Sequence, residues 1–188
     1  MNFAEYRIYL ILFVLGVTSW ILADFFDEQA KVDKKIVSHS PDYFSVNYYK
    51  KEMDIDGLVK NELNADKMIH YSDDGKTHLE NPVMTLHNSD ASPWVIKSKT
   101  GILEADGDHL LLAGDVFISR ARAKKLKPFI INTSELRVKL STSYAETDQW
   151  GEIIDNPNRT EGVGLQATFV KPVKIKFLSK VKGRYEFN

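Results

Sequence analysis

The chain of 188 residues has no cysteine, which excludes disulfides and thiolate metal sites. It has almost no net charge, −1 with 25 Lys and Arg against 26 Asp and Glu, so nothing draws it as a whole toward nucleic acid. Helical periodicity is missing beyond the N-terminus. The five histidines, His39, His70, His78, His87 and His109, form no H-x-x-x-H pair, and no acidic cluster brackets them at metal-ligand spacing. There is no G-x-S-x-G, no Walker loop and no G-x-G-x-x-G. Gly162-Val163-Gly164 lacks a third glycine and a following helix, and reads as a bulge or a close backbone approach within a sheet. These absences remove the usual equipment of hydrolases, phosphotransferases, dehydrogenases and metalloenzymes. The expectation is a chain with no enzymatic activity and no cofactor.

What is present begins with Ile8–Ala23, 16 consecutive residues without a charge. At about 1.5 Å per residue a helix there covers roughly 24 Å, against about 30 Å of bilayer core. Tyr6, Phe25 and Phe26 extend the apolar length, Arg7 can snorkel, and Tyr6, Tyr9 and Trp20 suit the interface. A cleavage site ending at Ala23 would set Ile21 three residues from the cut, where a small residue is needed, so an uncleaved anchor is expected over residues 1–26. Arg7 precedes the segment and Asp24, Asp27 and Glu28 follow it. The positive-inside rule then puts the N-terminus in the cytoplasm and the remainder outside.

Residues 27–41 are polar and read as a linker closed by Pro41. From residue 42 onward apolar residues alternate with polar ones. Trp94, Ile96 and Ser98 fall on one face, as do Leu110, Leu112, Gly114, Val116 and Ile118, then Leu136, Val138 and Leu140, and then Ile175 and Phe177. Period two is the strand signature. Turn signals stand at Asp73-Asp74-Gly75, Asn81-Pro82, Ser92-Pro93, Asp106-Gly107-Asp108, Asn156-Pro157-Asn158 and Lys182-Gly183. Ala65, Ser98, Thr133 and Ala167 recur at spacings of 33, 35 and 34, a period suited to stacked β-hairpin units. An all-β sandwich or barrel-like domain over residues 42–188 follows.

The last segment is basic, with Lys174, Lys176, Lys180, Lys182 and Arg184 on a strand that also carries Val181 and Tyr185. Lysines on an edge strand deter unwanted pairing. The same edge can instead accept a partner's strand, or its cations can meet an anion.

The order of short motifs after one anchor resembles the lipopolysaccharide-export protein C (LptC) family. The motifs are Leu63-Asn64-Ala65-Asp66, Leu79-Glu80-Asn81-Pro82-Val83, Trp94-Val95-Ile96-Lys97-Ser98, Leu112-Ala113-Gly114-Asp115-Val116, Ala145-Glu146-Thr147-Asp148 and Gly164-Leu165-Gln166-Ala167. The resemblance implies a bitopic protein of the Gram-negative inner membrane with a twisted, open, antiparallel β-jellyroll in the periplasm. It implies three partners: lipopolysaccharide, an ABC transporter with LptF- and LptG-like membrane subunits and an LptB-like ATPase, and a soluble LptA-like bridge protein. Alternation nominates Leu79, Val83, Trp94, Ile96, Leu112, Val116, Leu136, Val138, Ile175, Phe177 and Tyr185 as the inward set for a lipid groove, though such faces also simply pack. Lys174, Lys176, Lys180, Lys182, Arg184 and Tyr185 form the expected partner edge, with Gly114 and Gly164 as structural positions. The resemblance implies lipopolysaccharide transfer; the alternative is a tethered factor that organises an envelope complex without carrying lipid.

Overall fold

The computed structural model describes residues 3–31, 39–88, 91–120 and 128–185. It divides into two units, Met1–Ser38 and His39–Asn188. The first holds one helix, α1 (Phe3–Lys31), which runs past the expected boundary at residue 26. No Gly or Pro lies between residues 24 and 31 to stop it. The rest of the expected linker, residues 32–38, lies outside the described residues. Tyr9, Leu10, Phe13, Trp20 and Leu22 of α1 are all more than half exposed. Among the described residues no helix is long and apolar enough to cross a membrane.

The second unit is all antiparallel β. Its strands are β1 (Pro41–Met53), β2 (Val59–Tyr71), β3 (Thr77–Glu80), β4 (Val83–Asn88), β5 (Ala91–Lys97), β6 (Thr100–Leu103), β7 (His109–Arg120), β8 (Phe129–Lys139), β9 (Tyr144–Asp155), β10 (Asn158–Thr168) and β11 (Lys174–Arg184). They form one sheet. β2 pairs with β3 over one half of its length and with β4 over the other; β7 pairs with β6 and β5 in the same way. β3–β4 and β5–β6 are therefore each one long strand with a kink, at Asn81-Pro82 and at Ser98-Lys99. The kinks are tied together, because the Asn81 N–H donates to Lys99 O at 2.8 Å and the Ser98 N–H to Pro82 O at 3.3 Å. Counted so, every strand neighbours the next in sequence and the sheet is a meander. The 33-to-35-residue period marks every second strand of it.

A crease crosses the whole meander. Asn47 in β1, Asn81, Gly114 in β7, Glu135 in β8, Gly164 in β10 and Lys180 in β11 all have φ between 49° and 73°. This left-handed region costs a side chain free energy, and glycine fills it without strain. Pairing register breaks beside them, between Leu112 and Asp115, Asn132 and Arg137, Val163 and Leu165, and Glu161 and Val163. Side chains bridge the gaps. Asn81 Nδ2 donates to Asp66 Oδ2 at 2.8 Å, the Gly114 N–H to Glu135 Oε1 at 2.7 Å, and Thr147 Oγ1 to Ser134 O at 2.7 Å. Bulges bend strands and raise local twist, so a row of them folds one sheet onto itself. The result shows in contacts between strands far apart in the order. Trp94 of β5 lies 5.0 Å from Phe169, just beyond β10, and Lys60 Nζ of β2 donates to Ser141 O beyond β8 at 3.0 Å.

The remaining turn signals divide. Asp73-Asp74-Gly75, Asp106-Gly107-Asp108 and Asn156-Pro157-Asn158 are turns between strands. Ser92-Pro93 lies inside β5, where pairing with β4 is irregular between Leu86 and Asn88, so the missing proline N–H is tolerated. Lys182-Gly183 lies inside β11, paired with Glu161 and Thr160.

The β6–β7 turn gives a pH prediction. The Asp106 carboxylate accepts from the Asp108 N–H at 2.8 Å and from the His109 N–H at 3.1 Å, and meets His109 Nδ1 at 2.6 Å. The Asp108 N–H, then the His109 ring, then the His109 N–H hold it well below its usual 3.8, at about 2. A depressed carboxylate adds stability above its unfolded value and loses it as pH falls through the folded one. Asp106→Asn should therefore flatten the acid dependence of melting between pH 3.8 and about 2, read by circular dichroism.

Candidate functional site

The inward face of the folded sheet carries one continuous apolar core. Leu63, Leu79, Met84, Trp94, Ile118 and Phe169 are among its buried members. Of the expected groove residues, Leu79, Trp94, Ile96, Leu112, Val116, Leu136 and Val138 are at most 2% exposed, and Ile175 and Phe177 pack against them half-buried. The expectation is corrected at two positions. Val83 points away from the core, because the left-handed backbone at the Asn81 kink turns the following strand over with its pairing register unbroken, and Met84 and Leu86 face inside instead. Tyr185 is 58% exposed just past the end of β11, where its hydroxyl lies 3.3 Å from Thr160 Oγ1.

Sequence reading missed several core residues. Alternation in Leu63 and Ala65 was visible but sits among Asn, Glu and Asp. Ile131 and Thr133 share the inward face with Leu136 despite opposite parity, since Glu135 is the left-handed residue between them. Glu152 is a buried carboxylate in β9, paired with Arg159 and accepting from Asn132 Nδ2 at 3.2 Å. No alternation rule flags it.

Among the described residues both borders of the sheet are unpaired: β1 pairs with β2 alone, and β11 with β10 alone. Tyr43, Phe44, Val46 and Tyr49 are more than half exposed on β1, as are Leu178 and Val181 on β11. Lys174, Lys176, Lys180, Lys182 and Arg184 all lie exposed along β11. A cleft of about 440 Å³ beside it is lined by Trp150, Glu161, Val163, Lys180, Val181 and Lys182. Free strand borders with exposed apolar side chains are normally an aggregation hazard unless they are sites of pairing.

Gly114 and Gly164, at φ 73° and 71°, stand where the crease crosses β7 and β10. Among the described residues no group of three or more His, Asp or Glu is placed to hold a metal ion.

The family described as lipopolysaccharide-assembly, LptC-related matches residues 8–186. The chain belongs to that family. This membership assigns LptC-type proteins, and this chain among them, to lipopolysaccharide transport. The fold agrees with that of LptH from Pseudomonas aeruginosa, described as the LptA-homologous periplasmic component of the conserved lipopolysaccharide transport device. The two superpose with a TM-score of 0.53 at 10% identity, over 67% of this chain and 94% of LptH. A search of curated proteins finds no match.

Proposed function

We propose that this LptC-family chain accepts lipopolysaccharide from an ABC transporter into the interior of its folded sheet and passes it to a soluble, LptA-like protein docked along β11. The observation that carries the reading is the combination of one apolar interior with two unpaired borders on a single sheet. Acyl chains would be held by apolar burial, about 25 cal/mol for each Å² removed from water, and no chemistry is required of the chain. ATP hydrolysis belongs to the transporter in this scheme. β1 faces the LptF- and LptG-like subunits, and the basic β11 faces the bridge protein.

In the same reading α1 anchors the chain in the inner membrane, N-terminus inside, with residues 39–188 in the periplasm of a Gram-negative cell. Arg7 on one flank and Asp24, Asp27 and Glu28 on the other favour that orientation. The uncharged stretch is shorter than a full span, so Tyr6, Phe25 and Phe26 must reach the interface with it.

One observation favours a second reading, a tethered organiser that carries no lipid. The interior is filled by its own side chains, with Trp94, Leu112 and Leu136 at 2% exposure or less, and a cargo must displace those contacts. Photo-crosslinkers at Phe177 and Val181, in membranes holding the transporter and the bridge protein, separate the two. The carrier reading expects an ATP-dependent lipopolysaccharide adduct at Phe177 and a bridge-protein adduct at Val181. A protein adduct at Val181 with no lipid adduct at any interior position leaves only the organiser.

A further inference from the structure

Arg120 is the last residue of β7, and it continues the inward row of Val116 and Ile118. Register sets it between Trp94 of β5 and Phe129 of β8. Its guanidinium carbon lies 4.7 Å from the Trp94 ring centre and 5.8 Å from that of Phe129. Phe129 and Phe169 meet the same indole at 5.5 and 5.0 Å. A permanent cation is thus clamped among aromatic rings at the rim of the apolar core.

Two N–H groups at this spot have no acceptor among the described residues. Arg120 Nε and Trp94 Nε1 are both buried and make no hydrogen bond, and Trp94 is only 1% exposed. Buried donors are nearly always satisfied, and leaving one unmade is costly. Here two belong to one cation–ring contact, with a positive charge and, among the described residues, no carboxylate bonded to either. An oxyanion supplies what both lack. The flat guanidinium fork suits a phosphate better than a lysine would. The neighbours on the core side are apolar, Trp94 and Phe169 belonging to the core and Phe129 packing against it, so the anion that fits is the head of an acylated molecule.

We propose that Arg120 and the Trp94 indole N–H form a binding site for the phosphate-type head group of an acyl-chain amphiphile. The inference rests on the lipid-carrying reading and names a recognition element within it.

The test uses the full chain held in a non-ionic amphipol, titrated with dodecyl phosphate, dodecyl maltoside or inorganic phosphate. The parent chain and Arg120→Met, which keeps the side-chain stem, are compared by calorimetry. The Trp94 indole ¹H–¹⁵N resonance, assigned with Trp94→Phe, reports the site directly. Dodecyl phosphate should shift that resonance and bind the parent about tenfold more tightly than the variant, as expected for a charge-assisted hydrogen bond. Dodecyl maltoside should bind both alike. Equal affinity of both chains for dodecyl phosphate overturns the proposal. So does an unmoved Trp94 resonance in the parent, which decides the matter even if Arg120→Met fails to fold. Inorganic phosphate bound with the same dependence on Arg120 overturns the head-group assignment in favour of a free-anion site. If maltoside binds and phosphate adds nothing, only this site fails; if neither amphiphile binds the parent, the carrier reading fails with it.

Discussion

The Gly162→Val chain is expected to melt well below the parent and to lose β11 from its sheet. Gly162 of β10 faces Gly151 of β9 across the ladder. The two leave a slot that Phe177 of β11 fills. A Cβ at position 162 would lie 2.6 Å from Phe177 Cγ and 2.8 Å from Phe177 Cβ; one at 151 would meet Phe177 Cε1 at 3.2 Å. The Phe177 Cβ is the root of its side chain, so a change of rotamer cannot clear it. The β11 backbone must move, and among the described residues β10 is the one strand it pairs with. Overpacking of this kind costs about 1–3 kcal/mol, and the two further methyls of valine should reach the upper part of that range. Thermal melting and amide exchange along residues 174–184 measure it. Gly16→Ala in α1 is the control, because nothing lies within 4 Å of a Cβ there. Unchanged melting with protected β11 amides would show that the strand accommodates the side chain, and the slot would not be what holds the border in place.

Trp94→Ala should have the larger global effect. Trp94 is fully buried and joins the two leaves of the creased sheet through Phe129 on one side and Phe169 on the other. Truncating a buried tryptophan costs about 3–5 kcal/mol, and in a domain of this size each kcal/mol lowers Tm by about 2–4 °C. Trp150→Ala, on the outer face at 47% exposure, should stay within about 0.5 kcal/mol. Equal losses from the two substitutions would mean that the leaves are not held together at Trp94.

The β class and much of the inward face were legible because Leu110, Leu112, Val116 and Ile118 keep strict alternation along β7, as do Leu136 and Val138 along β8. Alternation is a local rule, and it fails where the crease turns a strand over, as at Asn81 and Glu135. Past Asn81 it chose Val83 instead of Met84. Across Glu135 it could not join Ile131 to Leu136. Nothing in the identity of Glu135 or Lys180 announces a left-handed backbone within a strand; Gly114, Gly164 and the Asn81-Pro82 turn signal carried a visible sign. The basic border was legible from Lys174 to Arg184, but its being unpaired depends on the whole strand order. The Arg120 and Trp94 pair was illegible, since the two are 26 positions apart and meet only through the register of β5 with β7.

The sheet also has a direction. Its first border, β1, carries Asp42, Lys50, Lys51 and Glu52, which cancel; its last, β11, carries Lys174, Lys176, Lys180, Lys182 and Arg184 and no acid. Units joined border to border through unlike strands stack head to tail, and such a stack stays open unless the rotation between units closes it into a ring. Its length is set by whatever caps the two ends, and each unit in it has one upstream and one downstream neighbour. Such a stack has two unlike ends, so strand order alone tells upstream from downstream, while net movement of anything along it still requires a source of free energy.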